Sequence, residues 1–134
     1  MTRILLVSHS PQIAEGLAEM IAQMATDTSS VRILPLGGTS DGDLGTDPMR
    51  LLEAMQETGE GDVSLVFCDI GSSIMSATAA LDMIDDEALK ERIRLVDAPL
   101  VEGAFAAGVV ATTTSDPEEI ISQALDSRDQ RKFE

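Results

Sequence analysis

The residues best suited to chemistry follow two short apolar runs of the chain. His9 is the only histidine and follows the run 3–7 (RILLV), while Asp69 follows the run 63–68 (VSLVFC). A neutral imidazole carries a ring nitrogen with a free lone pair, which can attack phosphorus. A carboxylate that accepts the other ring N–H fixes the tautomer that leaves this lone pair free. The sequence therefore predicts that His9 accepts a phosphoryl group and that Asp69 orients its ring.

A phosphoryl group on histidine also needs hydrogen-bond donors for its oxygens. Backbone N–H groups at the start of a helix and in glycine-rich turns suit this task, because many of them have no partner within the element. Two segments offer such groups: Gly71, Ser72 and Ser73 after the second apolar run, and Gly38 with Thr39 after an earlier one. We expect these five residues to line the phosphoryl site.

Short apolar runs alternate with amphipathic stretches along the whole chain. The runs that predict strands are residues 3–7, 31–36, 63–68 and 92–96. Three of the predicted helices begin with a capping side chain followed by proline, at Ser10-Pro11, Asp47-Pro48 and Asp116-Pro117. A short acidic helix precedes the fourth strand, and a helix rich in small residues follows it. Regular alternation of strand and helix indicates a parallel sheet with helices on both faces.

The predicted fold is an α/β domain with an open, four-stranded parallel sheet in the flavodoxin-like order 2-1-3-4. In such sheets the reacting groups gather at the carboxyl ends of the strands, near the point where the strand order reverses. Here that point lies between the first and third strands, so His9 and Asp69 should face each other across the crevice. We expect one domain over residues 1–126 and a polar tail over residues 127–134.

Charge and hydropathy argue against several kinds of partner. The chain has 24 acidic residues against nine basic ones, and its formal net charge is −15. Nucleic acids and anionic membrane surfaces would be repelled by this charge, so neither is expected as a partner. No apolar stretch is long enough to span a bilayer, and the first residues lack the pattern of a signal peptide. We therefore expect a cytoplasmic protein.

Other kinds of site find little support in the residue pattern. One histidine and one cysteine, with no ligand-spaced pair, predict no metal site. The chain has no P-loop, no GxGxxG fingerprint and no GxSxG elbow, so neither a bound nucleotide nor a hydrolase nucleophile is indicated. We expect no cofactor in this chain, and we interpret Cys68 as a small buried side chain.

Each candidate also has a simpler structural interpretation. A histidine after a strand is commonly a hydrogen-bonded loop residue, and an aspartate before glycine is commonly a turn former or a helix cap. The glycines of the segment 37–45 could simply form turns. Residue types and positions alone leave these alternatives open.

Five segments of the chain together carry a family resemblance. They are ILLVSHS, GGT, DGDLGTDP, CDIGSS and DAPLVEGAFAA. Taken in order, from Met1 to about Leu125, they resemble the phosphotransferase subunit of the phosphoenolpyruvate-dependent dihydroxyacetone kinase. The domain of that subunit belongs to the mannose-type enzyme IIA class.

The resemblance implies a phosphotransferase with specific partners. Family members receive a phosphoryl group from the phosphocarrier protein HPr on the histidine that corresponds to His9. They pass it to ADP, which the nucleotide-binding subunit of the kinase holds as a fixed cofactor. The resemblance also implies that Asp69 pairs with the histidine and that the chain forms a homodimer. The small residues from Gly103 to Gly108 suit close packing, either between subunits or within the core.

Two other functions stay open at this point. One is an enzyme IIA component of a mannose-type sugar transporter, which would use the same histidine chemistry with another acceptor. The segments DGDLGTDP and APLVEG favour the kinase subunit over it. The other is a non-catalytic regulatory module of flavodoxin-like fold, such as a receiver domain. Receivers need an acidic pocket after the first strand, where this chain has Ser8, His9 and Ser10.

Overall fold

A computed structural model describes residues 1–26 and 29–133 of the chain. Its four strands are β1 (Thr2–Ser8), β2 (Val31–Gly37), β3 (Val63–Cys68) and β4 (Ile93–Leu95). The helices are α1 (Pro11–Met24), α2 (Pro48–Gln56), α3 (Gly71–Asp82), α4 (Glu87–Glu91), α5 (Leu100–Val110) and α6 (Pro117–Asp129). Strands and helices alternate, with two consecutive helices before β4 and two after it, as predicted.

The four strands form one parallel sheet in the order β2-β1-β3-β4, which confirms the predicted topology. All seven residues of the central strand β1 are buried, as expected for a parallel strand covered on both faces. In the register between β1 and β3, Val7 pairs with Cys68. The next residues along the two strands, Ser8 and Asp69, therefore leave the sheet side by side.

Apolar side chains fill the space on both faces of the sheet. One cluster contains residues from the sheet and from α1, α5 and α6, with Phe67 fully buried among them. The other contains sheet residues packed against α2 and α3, including Leu5 and Met55. Burial of one such side chain stabilises the fold by roughly 1.5–3 kcal/mol. Helices on both faces thereby fix the sheet that carries the site.

The predicted proline-initiated helices are confirmed together with their caps. The side chains of Ser10, Asp47 and Asp116 each accept a hydrogen bond from a backbone N–H in the first turn of α1, α2 and α6, respectively. Such a cap contributes about 1 kcal/mol to helix stability. Because α1 begins immediately after the Ser8–Ser10 segment, its cap also fixes the backbone that carries His9.

The small residues of α5 pack within the subunit. A Cβ atom at Gly108 would lie 2.5 Å from the side chain of Ile21 in α1, and one at Gly103 would lie 2.8 Å from Cβ of Ala98. Core packing therefore accounts for these two glycines.

Element ends differ from the predictions by a few residues. Strand β4 spans three residues instead of the predicted 92–96, with Arg92 at the end of α4. Helix α6 continues to Asp129 and so includes the first three residues of the predicted tail. Residue 134 of that tail lies outside the described residues. None of the described helices is long and apolar enough to span a membrane.

Candidate active site

The crevice between β1 and β3 brings the two predicted chemical residues together. Nδ1 of His9 lies 2.9 Å from Oδ1 of Asp69. The exposed fraction is 27% for the histidine side chain and 17% for the carboxylate. Because Asp69 accepts at Nδ1, the neutral ring keeps its proton there and Nε2 keeps the free lone pair. Nε2 lies on the other side of the ring from Asp69, where it meets the start of α3.

Asp69 is held as an anion by several donors. Its Oδ2 accepts the backbone N–H of His9 at 3.0 Å, and its Oδ1 accepts the N–H of Ile70 at 2.7 Å. Partial burial favours the neutral acid, but these bonds, together with the hydroxyls of Ser73 and Ser8, favour the charged form more. The pKa of Asp69 is thereby lowered from 3.8 to about 2. The carboxylate is consequently ionised at neutral pH and can stabilise positive charge on the histidine ring.

Ser8 is a site residue that was not predicted from the sequence. Its side chain is fully buried, and its hydroxyl donates to Oδ2 of Asp69 at 2.8 Å. The hydroxyl oxygen of Ser8 in turn accepts the backbone N–H of Ser10 at 3.1 Å. Ser8 thus connects the turn after β1 to the carboxylate after β3. The available signal in the sequence was a serine next to His9 after the apolar run, but Ser8 and Ser10 both fit that description.

On the open side of the ring, Nε2 of His9 contacts the hydroxyl of Ser72. Ser72 is the second residue of α3, whose N-cap residue, Ile70, makes no side-chain capping bond. The first N–H groups of a helix have no intrahelical partner, and the helix dipole makes this end electropositive. The contact with Ser72 therefore places Nε2 at the end of α3 that favours a bound anion, and Gly71 and Ser72 are the first two residues of this helix.

Ser73 lies in a different environment from the two residues before it. Its side chain is fully buried, and its hydroxyl donates to the carbonyl of Ile70 at 2.7 Å. Its backbone N–H donates to the same carbonyl at 2.9 Å. Both groups are used inside the turn that begins α3, and the hydroxyl also contributes to the lowered pKa of Asp69. Ser73 therefore lies on the carboxylate side of the turn, and its amide is not free to bind a phosphoryl oxygen.

The glycine-rich loop after β2 lies against the histidine, but its first two amides already have hydrogen-bond partners in the protein. The N–H of Gly38 donates to the carbonyl of Ser8 at 3.0 Å, and that of Thr39 donates to the carbonyl of Asp43 at 2.9 Å. The hydroxyl of Thr39 accepts the N–H of Asp43 at 3.3 Å. Gly38 and Thr39 thus hold the loop in shape, and the structure does not direct their amides at Nε2.

The thiol of Cys68 is a further titratable group of this region. It is partly buried at the end of β3, and burial raises its pKa to about 11. The thiol is therefore protonated at neutral pH and a poor nucleophile. Within residues 1–26 and 29–133, no cluster of three or more histidine, cysteine or acidic residues has a geometry that could hold a metal ion.

Sequence comparisons identify proteins of known type that share this chain's pattern. The family model EIIA-man, described as the PTS system fructose IIA component, matches residues 3–121. The phosphoryl donor subunit DhaM of PEP-dependent dihydroxyacetone kinase 2 from Listeria innocua is 45% identical, over 92% of this chain and 96% of the relative. The phosphotransferase subunit DhaM of the PTS-dependent dihydroxyacetone kinase from Lactococcus lactis is 34% identical, over 90% of both proteins.

Some relatives are much longer. The DhaM phosphoryl donor subunit from Escherichia coli K12 is 35% identical over 93% of this chain, but the match covers only 26% of that protein. A solved structure, described as that of the unknown-function protein EF1359, superimposes with a TM-score of 0.89 at 41% sequence identity. The superposition covers 99% of this chain and 98% of the other. The chain therefore belongs to the mannose-type enzyme IIA family of the phosphotransferase system and, within it, groups with the DhaM phosphoryl donor subunits.

Proposed function

We propose that this chain is a phosphohistidine carrier that delivers phosphoryl groups to a dihydroxyacetone kinase. It accepts the group from HPr on Nε2 of His9 and passes it to ADP bound in the nucleotide-binding subunit of the kinase. The observation that carries the proposal is the 2.9 Å contact between Nδ1 of His9 and Asp69. This contact leaves Nε2 as the nucleophile at the start of a helix.

The tautomer of His9 supports Nε2 as the acceptor. An ionised Asp69 on Nδ1 holds the proton of the neutral ring on that nitrogen, so the lone pair is on Nε2. When Nε2 bonds to phosphorus, the ring becomes positively charged, and the adjacent carboxylate stabilises this charge. The same charge helps the ring to leave when the phosphoryl group moves on.

The start of α3 supports a phosphoryl group on this nitrogen. The oxygens of this phosphoryl group would accept hydrogen bonds from the amides of Gly71 and Ser72. They would also accept one from the hydroxyl of Ser72, which contacts Nε2. The positive end of the helix dipole acts in the same direction. Phosphoryl transfer depends mainly on positioning and on stabilisation of charge, so a small set of donors is sufficient.

Two transfer steps complete the cycle. In the first, the lone pair of Nε2 attacks the phosphorus of phosphorylated HPr, the phosphorus–nitrogen bond of the donor breaks, and its electron pair returns to the donor's imidazole. In the second, a terminal phosphate oxygen of ADP attacks the phosphorus on Nε2, and the bond to His9 breaks to give ATP. The ring of His9 returns to its neutral form, so the chain itself needs no cofactor.

The family resemblance also motivates a proposal about assembly. We expect the chain to form a homodimer, since members of the mannose-type class commonly do. Sedimentation equilibrium would distinguish one 14.2-kDa chain from two. A monomer over the working concentration range would contradict this part of the proposal and leave the chemistry of His9 unaffected.

Intact-protein mass spectrometry tests the carrier function directly. Wild type and His9→Ala are incubated with phosphoenolpyruvate, enzyme I and HPr, and the mass is then followed after the ADP-loaded kinase subunit is added. We expect one acid-labile phosphoryl group on wild type, its loss to ADP, and no label on His9→Ala. Label without discharge would contradict the kinase partner and favour a transporter component. Absence of label with active HPr would contradict the carrier function.

A further inference from the structure

Both backbone polar groups of His9 are held by hydrogen bonds. Its N–H donates to Oδ2 of Asp69 at 3.0 Å, and its carbonyl accepts the N–H of Gly45 at 2.8 Å. Asp69 follows β3, whereas Gly45 belongs to the loop between β2 and α2. The histidine is therefore tied to two different parts of the chain, and only the first of them carries the carboxylate.

Three consecutive residues of the loop before α2 contact three different elements. Gly45 binds the turn after β1 through the carbonyl of His9. The hydroxyl of Thr46 lies 2.7 Å from the hydroxyl of Ser76 in α3. Asp47 caps the first turn of α2 with its side chain. This short segment thus joins the histidine, α3 and α2 at one place.

The hydroxyl pair, which we define as Thr46 and Ser76, lies on the face of α3 that also meets the histidine. Ser72 and Ser76 are four residues apart, and side chains at this spacing lie one above the other on one face of a helix. Ser72 contacts Nε2 of His9. The contacts therefore form a closed ring, which runs from the carbonyl of His9 through the loop and the hydroxyl pair, along one turn of α3, and back to Nε2 through Ser72.

The other contacts of α3 leave a need for this hydroxyl pair. The buried residues of the helix are all small, namely Ser73, Ser76, Ala77 and Ala80. Side chains of this size make fewer contacts than a buried leucine does, so they fix the position of the helix along its axis less firmly. The first turn also has no side-chain cap, since Ile70 makes no capping bond. A directional bond between two hydroxyls supplies the missing constraint.

We propose that Thr46 and Ser76 are positioning residues for phosphoryl transfer, which hold the start of α3 at the distance from Nε2 of His9 that the phosphoryl oxygens require. The inference rests on the proposed function, because only a phosphoryl group on Nε2 uses donors at this place. Asp69 acts on the other ring nitrogen. Loss of the hydroxyl pair should therefore affect the phosphorylated state and leave the charge on Asp69 unchanged.

Removal of one hydroxyl tests the proposal. Thr46→Val keeps the shape of the side chain and removes the bond to Ser76. With phosphorylated HPr as donor, we expect kcat to fall about tenfold, because a small displacement of groups that position the reaction has a large effect on its rate. The KM for HPr should keep its wild-type value, because the pair acts through α3 and not on the donor. Thr46→Ser, which keeps the hydroxyl, should recover most of the rate.

The transfer equilibrium is a second readout, which a purely structural role would not change. The share of phosphoryl groups on His9 relative to HPr measures how well the site stabilises the phosphorylated ring. In Thr46→Val we expect this equilibrium to shift several-fold towards HPr, as measured by phosphorus NMR of the mixture. The pKa of Asp69, about 2 in the wild type, should stay the same in this variant.

Two control variants remove a hydroxyl elsewhere. Thr78→Val makes the same change in α3, where the hydroxyl of Thr78 donates to the carbonyl of Ile74 at 2.8 Å. Thr58→Val breaks another close pair, because the hydroxyl of Thr58 lies 2.6 Å from that of Ser64 and also accepts from Arg3, at the amino ends of the strands. The first control matches the helix, and the second matches the loss of stability. Both should keep the wild-type kcat and equilibrium at a temperature at which chemical denaturation shows them to be folded.

A double-mutant cycle tests whether the two hydroxyls act as one contact. Ser76→Ala removes the partner of Thr46, and the double variant Thr46→Val with Ser76→Ala removes both hydroxyls. If their bond carries the effect, the double variant should be no slower than the slower single variant. Effects that multiply would show that the two side chains act separately, and would overturn the assignment of the pair.

Failure of this inference is distinguishable from failure of the proposed function. If HPr labels His9 in wild type, and Thr46→Val keeps the wild-type kcat and equilibrium, the hydroxyl pair has no positioning role and the carrier function stands. If Thr58→Val is as slow as Thr46→Val, lost stability explains both, and the positioning role is again wrong. If active HPr does not label His9 in wild type, the carrier function itself is wrong, and this inference falls with it.

Discussion

Nδ1 of His9 lies 2.9 Å from Oδ1 of Asp69, although the two residues follow different strands. The parallel register of β1 and β3 creates this contact, because Val7 pairs with Cys68 and each chemical residue follows shortly after its strand. The contact gives the two ring nitrogens different roles. One binds the carboxylate, and the other is left for phosphorus.

Replacement of Asp69 should slow transfer while the fold is retained. Asp69→Ala removes the group that fixes the tautomer and stabilises the charged ring, yet leaves the nucleophile in place. We expect the rate of His9 phosphorylation by HPr to fall by about two orders of magnitude, measured by rapid quench and mass spectrometry. Asp85→Asn, at an exposed aspartate outside the crevice, is the control. A wild-type rate in Asp69→Ala would contradict the pairing.

The sequence was sufficient to predict the order of the strands and the neighbouring positions of His9 and Asp69. Apolar runs bounded by polar residues mark buried parallel strands, and adjacent parallel strands end at the same edge of a sheet. The caps with proline at Ser10, Asp47 and Asp116 were equally visible, because their effect is local.

Hydrogen-bond partners inside the loops could not be predicted in this way. The pattern Gly38-Thr39 indicated free amides, but both N–H groups bond to carbonyls of Ser8 and Asp43. Which carbonyl an amide meets depends on the path of the whole loop, and residue types alone do not specify that path. The role of Ser8 could not be predicted for a similar reason. Ser8 and Ser10 have the same side chain, and only the pairing of β1 with β3 shows which of them lies beside Asp69.

Ser8 should act as a positioning residue for Asp69. Ser8→Ala removes the donor 2.8 Å from Oδ2, and we expect the pKa of Asp69 to rise because this hydroxyl is among the groups that lower it. The loss of one buried hydrogen bond should reduce the free energy of unfolding by about 1 kcal/mol. Phosphorylation by HPr should slow several-fold.

The titration of Asp69 distinguishes this role of Ser8 from a purely structural one. In Ser8→Ala, the carboxyl group of Asp69, followed by NMR, should titrate at a higher pH than in wild type, because one of the donors that lower its pKa is removed. Ser8→Thr, which keeps a hydroxyl, should recover part of the rate. An unchanged titration of Asp69 in Ser8→Ala, together with a lower stability, would assign Ser8 to the fold alone.

Stability at acid pH should report the charge on Asp69. Its pKa is about 2 in the folded protein against 3.8 ordinarily, so the folded state binds its proton less tightly than the unfolded state does. The resulting stabilisation, about 2 kcal/mol, is fully present above pH 3.8 and is lost as the pH falls towards 2. The difference in unfolding free energy between wild type and Asp69→Asn should therefore shrink over this range in urea titrations. A constant difference would contradict the lowered pKa.

Two glycines of the loop after β2 should respond differently to alanine. Both have positive φ, +72° at Gly38 and +84° at Gly42, which costs an L-residue about 1–2 kcal/mol. A Cβ at Gly38 would also lie 2.5 Å from the carbonyl oxygen of Asp43 and 2.5 Å from Cγ of Pro11, whereas one at Gly42 meets no atom within 4 Å. Gly42→Ala should therefore show only the backbone cost. In Gly38→Ala, the clash should raise the loss to about 3 kcal/mol or more and shift the loop, so that phosphorylation by HPr slows as well. Chemical denaturation and initial rates measure both effects, and equal losses in the two variants would show that backbone strain alone determines the role of Gly38.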